Sequence, residues 1–337
     1  IGDVAAAPAL LPALGDPDPR VQGRAAEALG LLGHTPAAGA IAGMAAGHVA
    51  AGALAGVASD DGTYPLAPAI EAVRLGVYAL ARLSALDELR AVVIGSDGLP
   101  ASDWWPLVHA MQRIAKPPAA PTLRTWLARG GATSRALAAR GLGSLKDADS
   151  RAGLEALVAN EQQPLGVRIQ AMRALAAIGD RRSVPVLMPL VDKAPARVLR
   201  IEAVAALGAV AGPVGADVLL DYLEDGWTPM RAASQTALAK ADPETFMTVL
   251  SGLDVDEEWS VRAALAKTLG ELERDVAALR LGQLADDDDP KVRAAALASL
   301  AKLAVPGIEG RLLSGVTAAD LGVRLAAARG LAALKPA

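Results

Sequence analysis

Residues Val292–Leu303 read VRAAALASLAKL and follow the acidic turn Asp286–Pro290, which reads DDDDP. In this stretch Leu300 lies seven residues after Arg293, which is the spacing of side chains on one face of a helix. The same Arg-to-Leu spacing returns with a fixed period of 31, with the arginine at Arg200, Arg231, Arg262, Arg293 and Arg324. A fixed period of this length is the signature of stacked helical repeats, in which each helix pair packs on its neighbours.

The repeat extends towards the N-terminus with less regularity. Arg135 and Arg168 occupy the arginine position, and Gln22, Val73 and Trp104 replace it in the first three repeats. The step from Gln22 to Val73 is 51 residues, one period plus 20, which indicates an insertion near residues 39–68. The sequence therefore predicts an all-α fold: one right-handed α-solenoid over residues 1–337, with about ten helix-turn-helix repeats of period 31, irregular in 1–126 and regular in 127–337.

Composition agrees with thin helical layers and limits the function. The chain is 53% hydrophobic with only 3% aromatic residues, and alanine lets helix axes approach closely. Its net charge of −4 gives no general attraction to nucleic acid or anionic lipid. The absence of Cys excludes disulfides, thiolate metal sites and a Cys nucleophile.

The uncharged stretch from Ala37 to Ala58 is the candidate for a membrane span. It is dominated by Ala and Gly and contains His48, so we predict no transmembrane segment. No signal peptide opens the chain, yet it starts at Ile1, so localisation stays open between the cytoplasm and export. Gly39, Gly43 and Gly47 recur every four residues, and we expect this stripe to allow close contact with another backbone.

An Asp-rich turn, an apolar-Arg pair and a small-residue helix ending in Ala-Leu-Gly, as at residues 28–30 and 206–208, resemble the bacterial HEAT-like repeat family, including the phycobilisome-lyase type. The resemblance covers essentially the whole chain and implies the α-solenoid fold. It implies no single function, because that family includes scaffolds, lyase subunits, inhibitors and enzymes.

In that family the repeating Arg pairs with an Asp of the preceding turn. The candidates here are Asp192, Asp225, Asp254 or Asp256, and Asp286 or Asp288. We call the seven arginines the Arg ladder and expect a structural role for it, tying each repeat to its neighbour. Its members are Arg135, Arg168, Arg200, Arg231, Arg262, Arg293 and Arg324.

A second resemblance concerns the irregular repeats. Residues 63–66 (TYPL), 71–80 (EAVRLGVYAL) and 104–106 (WWP) are similar to HEAT-like regions that precede a cyclophilin-type prolyl isomerase domain in some bacterial proteins. This implies a region of a larger enzyme chain. The 337 residues themselves follow a helical pattern and contain one Phe, so we predict no isomerase domain within them.

Residues suited to catalysis or metal binding do not form a recognisable motif. His34, His48 and His109 make no two-His pair at helical spacing, and the acidic turns at 254–258 and 286–289 lack the glycine-turned loop of an EF-hand. We predict a protein that is not an enzyme, with no metal and no cofactor. A basic stripe leaves nucleic-acid binding as a lower-ranked alternative, since no aromatics interleave with it: Arg140, Arg173, Lys267 and Arg329.

The aromatic residues give the hypothesis for binding. Residues 34–126 hold the insertion, all three His and most of the departures from the repeat, which favours a partner-binding surface there. Trp is enriched at binding hot spots, although the pattern favours each indole as a cap over the apolar layer beneath its turn. The predicted function is a non-enzymatic scaffold or accessory subunit for another protein of unknown identity; the alternatives are a part of an isomerase or lyase-type chain, or a nucleic-acid binder. The candidate contacts are Tyr64, Tyr78, Trp104, Trp105, Trp126, Trp227 and Trp259.

Overall fold

The computed structural model describes residues 4–334, which form twenty α-helices, six short 3-10 helices and one isolated β-bridge between Ile94 and Pro100. The predicted all-α class is confirmed. The chain divides into two compact units, Ile1–Val186 and Leu187–Ala337, and each is described by itself. The single repeat array and the number of repeats stay predictions.

In the N-terminal unit the even-numbered helices pack each on the next: α2 on α4, α4 on α6, α6 on α8 and α8 on α10. The first helix, α1, is short and is followed by a 3-10 turn at Pro12–Gly15, because Pro12 has no N–H to donate. The helices are α1 Ala7–Leu10, α2 Pro19–Leu31, α3 Ala38–Ala50, α4 Pro68–Arg82, α5 Leu86–Val93, α6 Trp105–Ile114, α7 Ala120–Arg129, α8 Ala132–Ser144, α9 Arg151–Ala159 and α10 Leu165–Ile178.

The C-terminal unit follows the same order, with α12 packed on α14, α14 on α16, α16 on α18 and α18 on α20. Helix α11 begins three residues before the unit boundary. The helices are α11 Val184–Lys193, α12 Arg197–Val210, α13 Pro213–Leu220, α14 Thr228–Ala241, α15 Pro243–Gly252, α16 Trp259–Leu269, α17 Arg274–Leu284, α18 Pro290–Lys302, α19 Ile308–Gly315 and α20 Leu321–Ala333.

Glycines near the ends of even-numbered helices allow these helices to touch. A Cβ added at Gly30 would lie 2.7 Å from the Cα of Ala79 on the next even helix, which is too close for any side chain. The glycine lies eight residues after the ladder position of its own helix. Its alanine partner lies six residues after the ladder position of the next even-numbered helix. The pairs of this kind are Gly30 with Ala79, Gly143 with Ala174 and Gly208 with Ala237.

The glycine stripe of α3 behaves differently from its prediction. Gly39, Gly43 and Gly47 are exposed, and a Cβ built on each would meet nothing within 4 Å. The expected backbone contact is therefore wrong. The buried face of α3 is formed by Ile41, Ala42 and Ala45, and the close approach comes instead from Gly76 of α4, whose Cβ would lie 3.1 Å from the Cβ of Ala45.

The ladder arginines form hydrogen bonds within the fold, but the carboxylates that pair with Arg231 and Arg262 are not the ones expected. Arg262 donates through Nε and Nη2 to the carboxylate of Asp287, at 2.7 and 2.9 Å, and through Nη1 to the carbonyl of Asp256, at 2.9 Å. Arg231 repeats this with the carboxylate of Asp256 and the carbonyl of Asp225. The preceding turn thus supplies a carbonyl six residues earlier, and the following turn supplies the Asp, 25 residues later. Each guanidinium joins two consecutive turns.

The other ladder arginines keep the carbonyl bonds. Arg293 and Arg324 each donate to carbonyls six and five residues earlier. The residue that would supply a carboxylate to Arg293 by the same spacing is Ala318, which has none. Arg135, Arg168 and Arg200 donate to the carbonyls of Ala128, Val158 and Val191.

Gln22 takes the ladder position in the first repeat with the same geometry. Its Nε2 donates to the carbonyl of Asp16, six residues earlier, at 2.7 Å. Its Oε1 lies 2.5 Å from His48 Nε2, where the later repeats place an Asp. The first repeat therefore has a Gln–His contact at the position where Arg231 and Arg262 pair with an Asp.

We expect the Arg262–Asp287 pair to make stability depend on acid. The guanidinium of Arg262 lowers the pKa of the Asp287 carboxyl, aided by the backbone N–H of Asp289. A carboxyl with a lowered pKa stabilises the fold above its unfolded value of about 3.9, and this contribution is lost as pH falls through the folded pKa. Asp287→Asn should therefore lower the free energy of unfolding at neutral pH by about 1–2 kcal/mol. The gap from wild type should close below pH of about 4.

Urea unfolding of both proteins at neutral and acid pH measures this gap. Asp275→Asn is the matched control, because the Asp275 side chain is exposed on the first turn of α17. A gap between Asp287→Asn and wild type that stays constant with pH would contradict the assignment.

Candidate functional site

The irregular region is organised by residues 59–66, which we call the docked loop. The hydroxyl of Ser59 donates to the carbonyl of Asp103 at 2.6 Å and accepts from the backbone N–H of Gly131 at 2.8 Å. The carbonyl of Ser59 accepts from the backbone N–H of Trp105 at 2.9 Å. The loop is thereby fixed to the starts of both α6 and α8.

Asp60 caps a helix that begins 72 residues later. Its carboxylate accepts from the backbone N–H groups of Ala132 and Thr133, at 2.7 and 2.9 Å, which are the first two residues of α8. These N–H groups have no partner within the helix, and a negative charge here also faces the positive end of the helix dipole. A Cβ on Gly131 would lie 2.6 Å from Asp60 Oδ2, so only glycine leaves room for this approach.

Asp61 fixes two indoles beneath the loop. Its carbonyl accepts from Trp104 Nε1 at 3.2 Å and from Trp105 Nε1 at 2.9 Å. Trp126 Nε1 similarly donates to the carbonyl of Ser102 at 3.1 Å. Trp104 is 1% exposed and Trp126 is 0% exposed, so both indoles lie in the core with their N–H groups satisfied. Neither indole is therefore accessible to a partner protein.

Tyr64 is the exposed member of the predicted set in this loop. It is 81% exposed and borders a shallow pocket of about 320 Å³ with Arg20, Arg24 and Leu66. The turn before it is held by Asp61, whose carboxylate accepts from the backbone N–H of Thr63 at 2.9 Å. The N–H and hydroxyl of Thr63 lower the pKa of Asp61. Tyr64 therefore projects from a loop that is already ordered.

Tyr78 and Trp105 meet around His109. The rings of Tyr78 and His109 are 5.4 Å apart, and those of Trp105 and His109 are 6.4 Å apart, both edge to face. Arg74 lies over Tyr78 at 5.6 Å and is paired with Glu71. Burial, together with Arg113 and Arg140, lowers the pKa of His109, which favours the neutral imidazole. The three rings are half-buried.

In the C-terminal unit, Trp227 and Trp259 each lie under a cation. Arg197 is 5.1 Å from the ring of Trp227, and Lys291 Nζ is 3.9 Å from that of Trp259. Trp227 is half-buried and Trp259 is 38% exposed. These two indoles are thus accessible at the starts of α14 and α16.

Sequence reasoning did not identify Ser59 and Asp60 as the residues that fix this region. Their partners in α6 and α8 are 44 to 75 residues away, and a Ser-Asp-Asp-Gly stretch indicates only a turn. The one available signal was the Gly130-Gly131 pair, because a glycine before a helix permits another chain segment to approach closely.

We expect Asp60→Ala to lower the free energy of unfolding by about 1–2 kcal/mol, the usual cost of losing a helix cap. Amide hydrogen exchange should rise at Ala132 and Thr133, whose N–H groups lose their acceptor. Gly131→Ala should have the same effect, by displacing the carboxylate. Glu161→Ala, an exposed carboxylate in the same unit, is the control. Unchanged exchange at these amides would contradict the capping role.

Two features are absent from the described residues: a cluster that could bind a metal ion and a helix that could cross a membrane. Across positions 4–334, no three His, Asp or Glu side chains lie in an arrangement that could hold a metal ion. None of the helices in this range combines the length and the apolar character that crossing a membrane requires. The acidic turns are used in the fold instead: Asp289 caps α18, Asp286 pairs with Arg311 and Asp287 pairs with Arg262.

Three comparisons place the chain among known proteins. No curated protein sequence matches it. Among solved structures, an engineered protein is 20% identical with a TM-score of 0.42, covering 98% of this chain and 99% of its own. The CpcE–CpcF complex of phycocyanin lyase from Nostoc sp. PCC7120 is 20% identical with a TM-score of 0.44, covering 69% and 91%. Human deoxyhypusine hydroxylase is 19% identical with a TM-score of 0.32, covering 74% and 96%.

Sequence identities of 19–20% with these three structures do not indicate a shared function. The family of HEAT repeats matches residues 120–208 and 163–239, which run from the start of α7 into α14. This match agrees with the helix pairs and with the ladder arginines within it, Arg135, Arg168, Arg200 and Arg231. Residues 120–239 therefore contain HEAT repeats, within a chain whose described residues are all-α.

Proposed function

We propose that this chain is a non-enzymatic scaffold that binds another protein, with a contact surface centred on the docked loop. The observation that carries the proposal is the contrast within that loop. Residues 59–61 are bonded to α6 and α8, whereas Tyr64 is 81% exposed. An exposed aromatic on an ordered loop loses little conformational freedom on binding, and Tyr is enriched among residues that dominate binding energy.

The fold supports a binding role because stacked repeats leave long faces that do not pack on a central core. The fold itself uses many of the polar groups that an enzyme would need: the ladder arginines and the turn aspartates bond to one another and to backbone. Tyr78, Trp105, Trp227 and Trp259 remain candidate contacts, since each has accessible surface.

The test is the mass of the native particle, isolated gently from its own source with wild-type or Tyr64→Ala chain. We expect wild type to co-purify with a partner and Tyr64→Ala to bind that partner at least about tenfold more weakly. Helix content by circular dichroism should be unchanged, because Tyr64 contributes little to the core.

Leu31→Ala is the matched control, an exposed apolar residue of the same unit outside the docked loop. A wild-type particle with the mass of a single chain would overturn the scaffold role. A partner complex that tolerates Tyr64→Ala as well as it tolerates Leu31→Ala would move the contact away from the docked loop.

A further inference from the structure

A pocket of the C-terminal unit, which we call the turn pocket, lies between the turns that precede α14 and α16 and the helix α17. Its volume is about 810 Å³. The turn residues 223–226 and 252–258 form its walls, and Arg231 and Arg262 of the ladder contribute to its lining. It is therefore built from two consecutive turns that the ladder holds together.

The turn pocket carries an excess of negative charge. Seven carboxylates and three guanidinium groups line it. Arg231 and Arg262 are already bonded to Asp256 and Asp287. A further set of lining carboxylates is exposed and forms no ion pair with any residue of the described chain: Glu224, Asp254, Glu257 and Glu258.

The remaining cation of the lining does not neutralise this set. Arg280, on α17, donates through Nη1 to Gln283 Oε1 at 3.0 Å and forms no ion pair with a described carboxylate. One guanidinium faces four exposed carboxylates, so the pocket attracts a cation. An excess of negative charge alone does not define a binding site. Gln235 on α14 supplies an independent observation.

Gln235 of α14 is a lining residue of the turn pocket, and its side-chain oxygen is buried without a partner. The residue is 6% exposed, and its Oε1 has no hydrogen-bond partner among the described residues. A buried acceptor without a donor is unfavourable, because its lost hydration is not replaced. At Gln235 the missing group is therefore a donor, which is also what the surrounding carboxylates favour, whereas Arg280 Nε, a second buried atom of the lining without a partner, lacks an acceptor.

We propose that the turn pocket binds an arginine side chain carried by a basic segment of the partner protein. A guanidinium has five N–H donors in a planar fork, enough to bond carboxylates and the Gln235 amide oxygen together, whereas an ammonium is a compact charge. Val255, exposed in the lining, offers apolar contact for the arginine stem. The inference rests on the proposed function, since it names the chemistry of the partner.

The probe is a fluorescent, acetylated and amidated peptide of alternating arginine and glycine, titrated into the full chain at low ionic strength. Glu257→Gln combined with Glu258→Gln should weaken binding at least about tenfold, as loss of close charge partners does. Asp275→Asn combined with Glu309→Gln removes the same charge outside the pocket and should change binding less than about twofold. Equal effects of the two pairs would mean general attraction only and would overturn the site.

Gln235→Met separates a ligand role from a structural one. Methionine has a similar volume without the unpaired acceptor, so the free protein should be as stable as wild type or more stable. Peptide binding should nevertheless fall severalfold. Unchanged peptide binding in Gln235→Met, or equal binding of a lysine-glycine peptide, would overturn the proposed arginine geometry.

The two proposals fail separately. A wild-type chain that forms its native complex but does not bind the arginine peptide refutes the turn pocket and leaves the scaffold role standing. A chain that binds the peptide through Glu257 and Glu258 but has no native partner refutes the scaffold role and supports the pocket's chemistry.

Discussion

Trp104→Ala is expected to lower the free energy of unfolding of the N-terminal unit by about 3–5 kcal/mol, the usual cost of emptying a buried aromatic site. The side chain is 1% exposed, and its indole N–H bonds the carbonyl of Asp61 at 3.2 Å. The substitution therefore leaves a cavity and releases one attachment of the docked loop. Urea unfolding followed by circular dichroism measures the loss, and limited proteolysis within residues 59–66 should become faster.

Trp259→Ala is the matched control, because that indole is 38% exposed and contacts Lys291 across its face. We expect it to change the free energy of unfolding by less than about 1 kcal/mol. If Trp104→Ala instead unfolds like wild type and loses only partner binding, Trp104 is a contact residue and its buried position is incorrect.

The periodicity of the sequence predicts the helices better than it predicts their partners. Asp256 lies six residues before Arg262 and 25 residues after Arg231, and in a chain with a period of 31 these two descriptions are equivalent. A repeating pattern therefore shows that Asp and Arg alternate along the stack without showing which Arg each Asp faces. Side-chain direction decides it, and Asp256 bonds Arg231.

The glycines illustrate the same limit. A spacing of four residues places Gly39, Gly43 and Gly47 on one face of α3, but spacing does not say whether that face is buried. The apolar residues Ile41 and Ala45 decide it, because burying them turns the glycine row outwards. In α2, by contrast, Gly30 lies on the same buried face as Ala26 and Leu29, and the close contact with the next helix forms.

The docked loop was beyond sequence reasoning for a different reason. Trp104 and Trp105 depart from the repeat, and a departure from a local rule favours either function or a special packing need. Here the need is packing, since the insertion supplies a carbonyl for both indoles and a cap for α8. Contacts across 43 to 73 residues leave no local pattern in the chain.

Replacing a glycine by alanine in α2 and in α3 should change the free energy of unfolding in opposite directions. Gly30→Ala places a Cβ 2.7 Å from the Cα of Ala79, a backbone atom that cannot rotate away, so α2 and α4 must separate. Overpacking of this kind costs about 2–3 kcal/mol. Gly43→Ala adds a methyl group to an open face of α3, where nothing lies within 4 Å. Alanine there should stabilise the unit by about 0.5–1 kcal/mol, because it restricts the unfolded chain.

Thermal and urea unfolding of the two variants measure this difference, and each serves as the control for the other. Helix propensity alone would make both substitutions stabilising, since alanine is the better helix former at either position. Only the approach of α2 to α4 makes the first one unfavourable, so the sign of Gly30→Ala reports directly on how successive even helices pack. A stabilising Gly30→Ala would mean that α2 and α4 lie further apart than described, and it would remove the reason why Ala-Leu-Gly closes these helices.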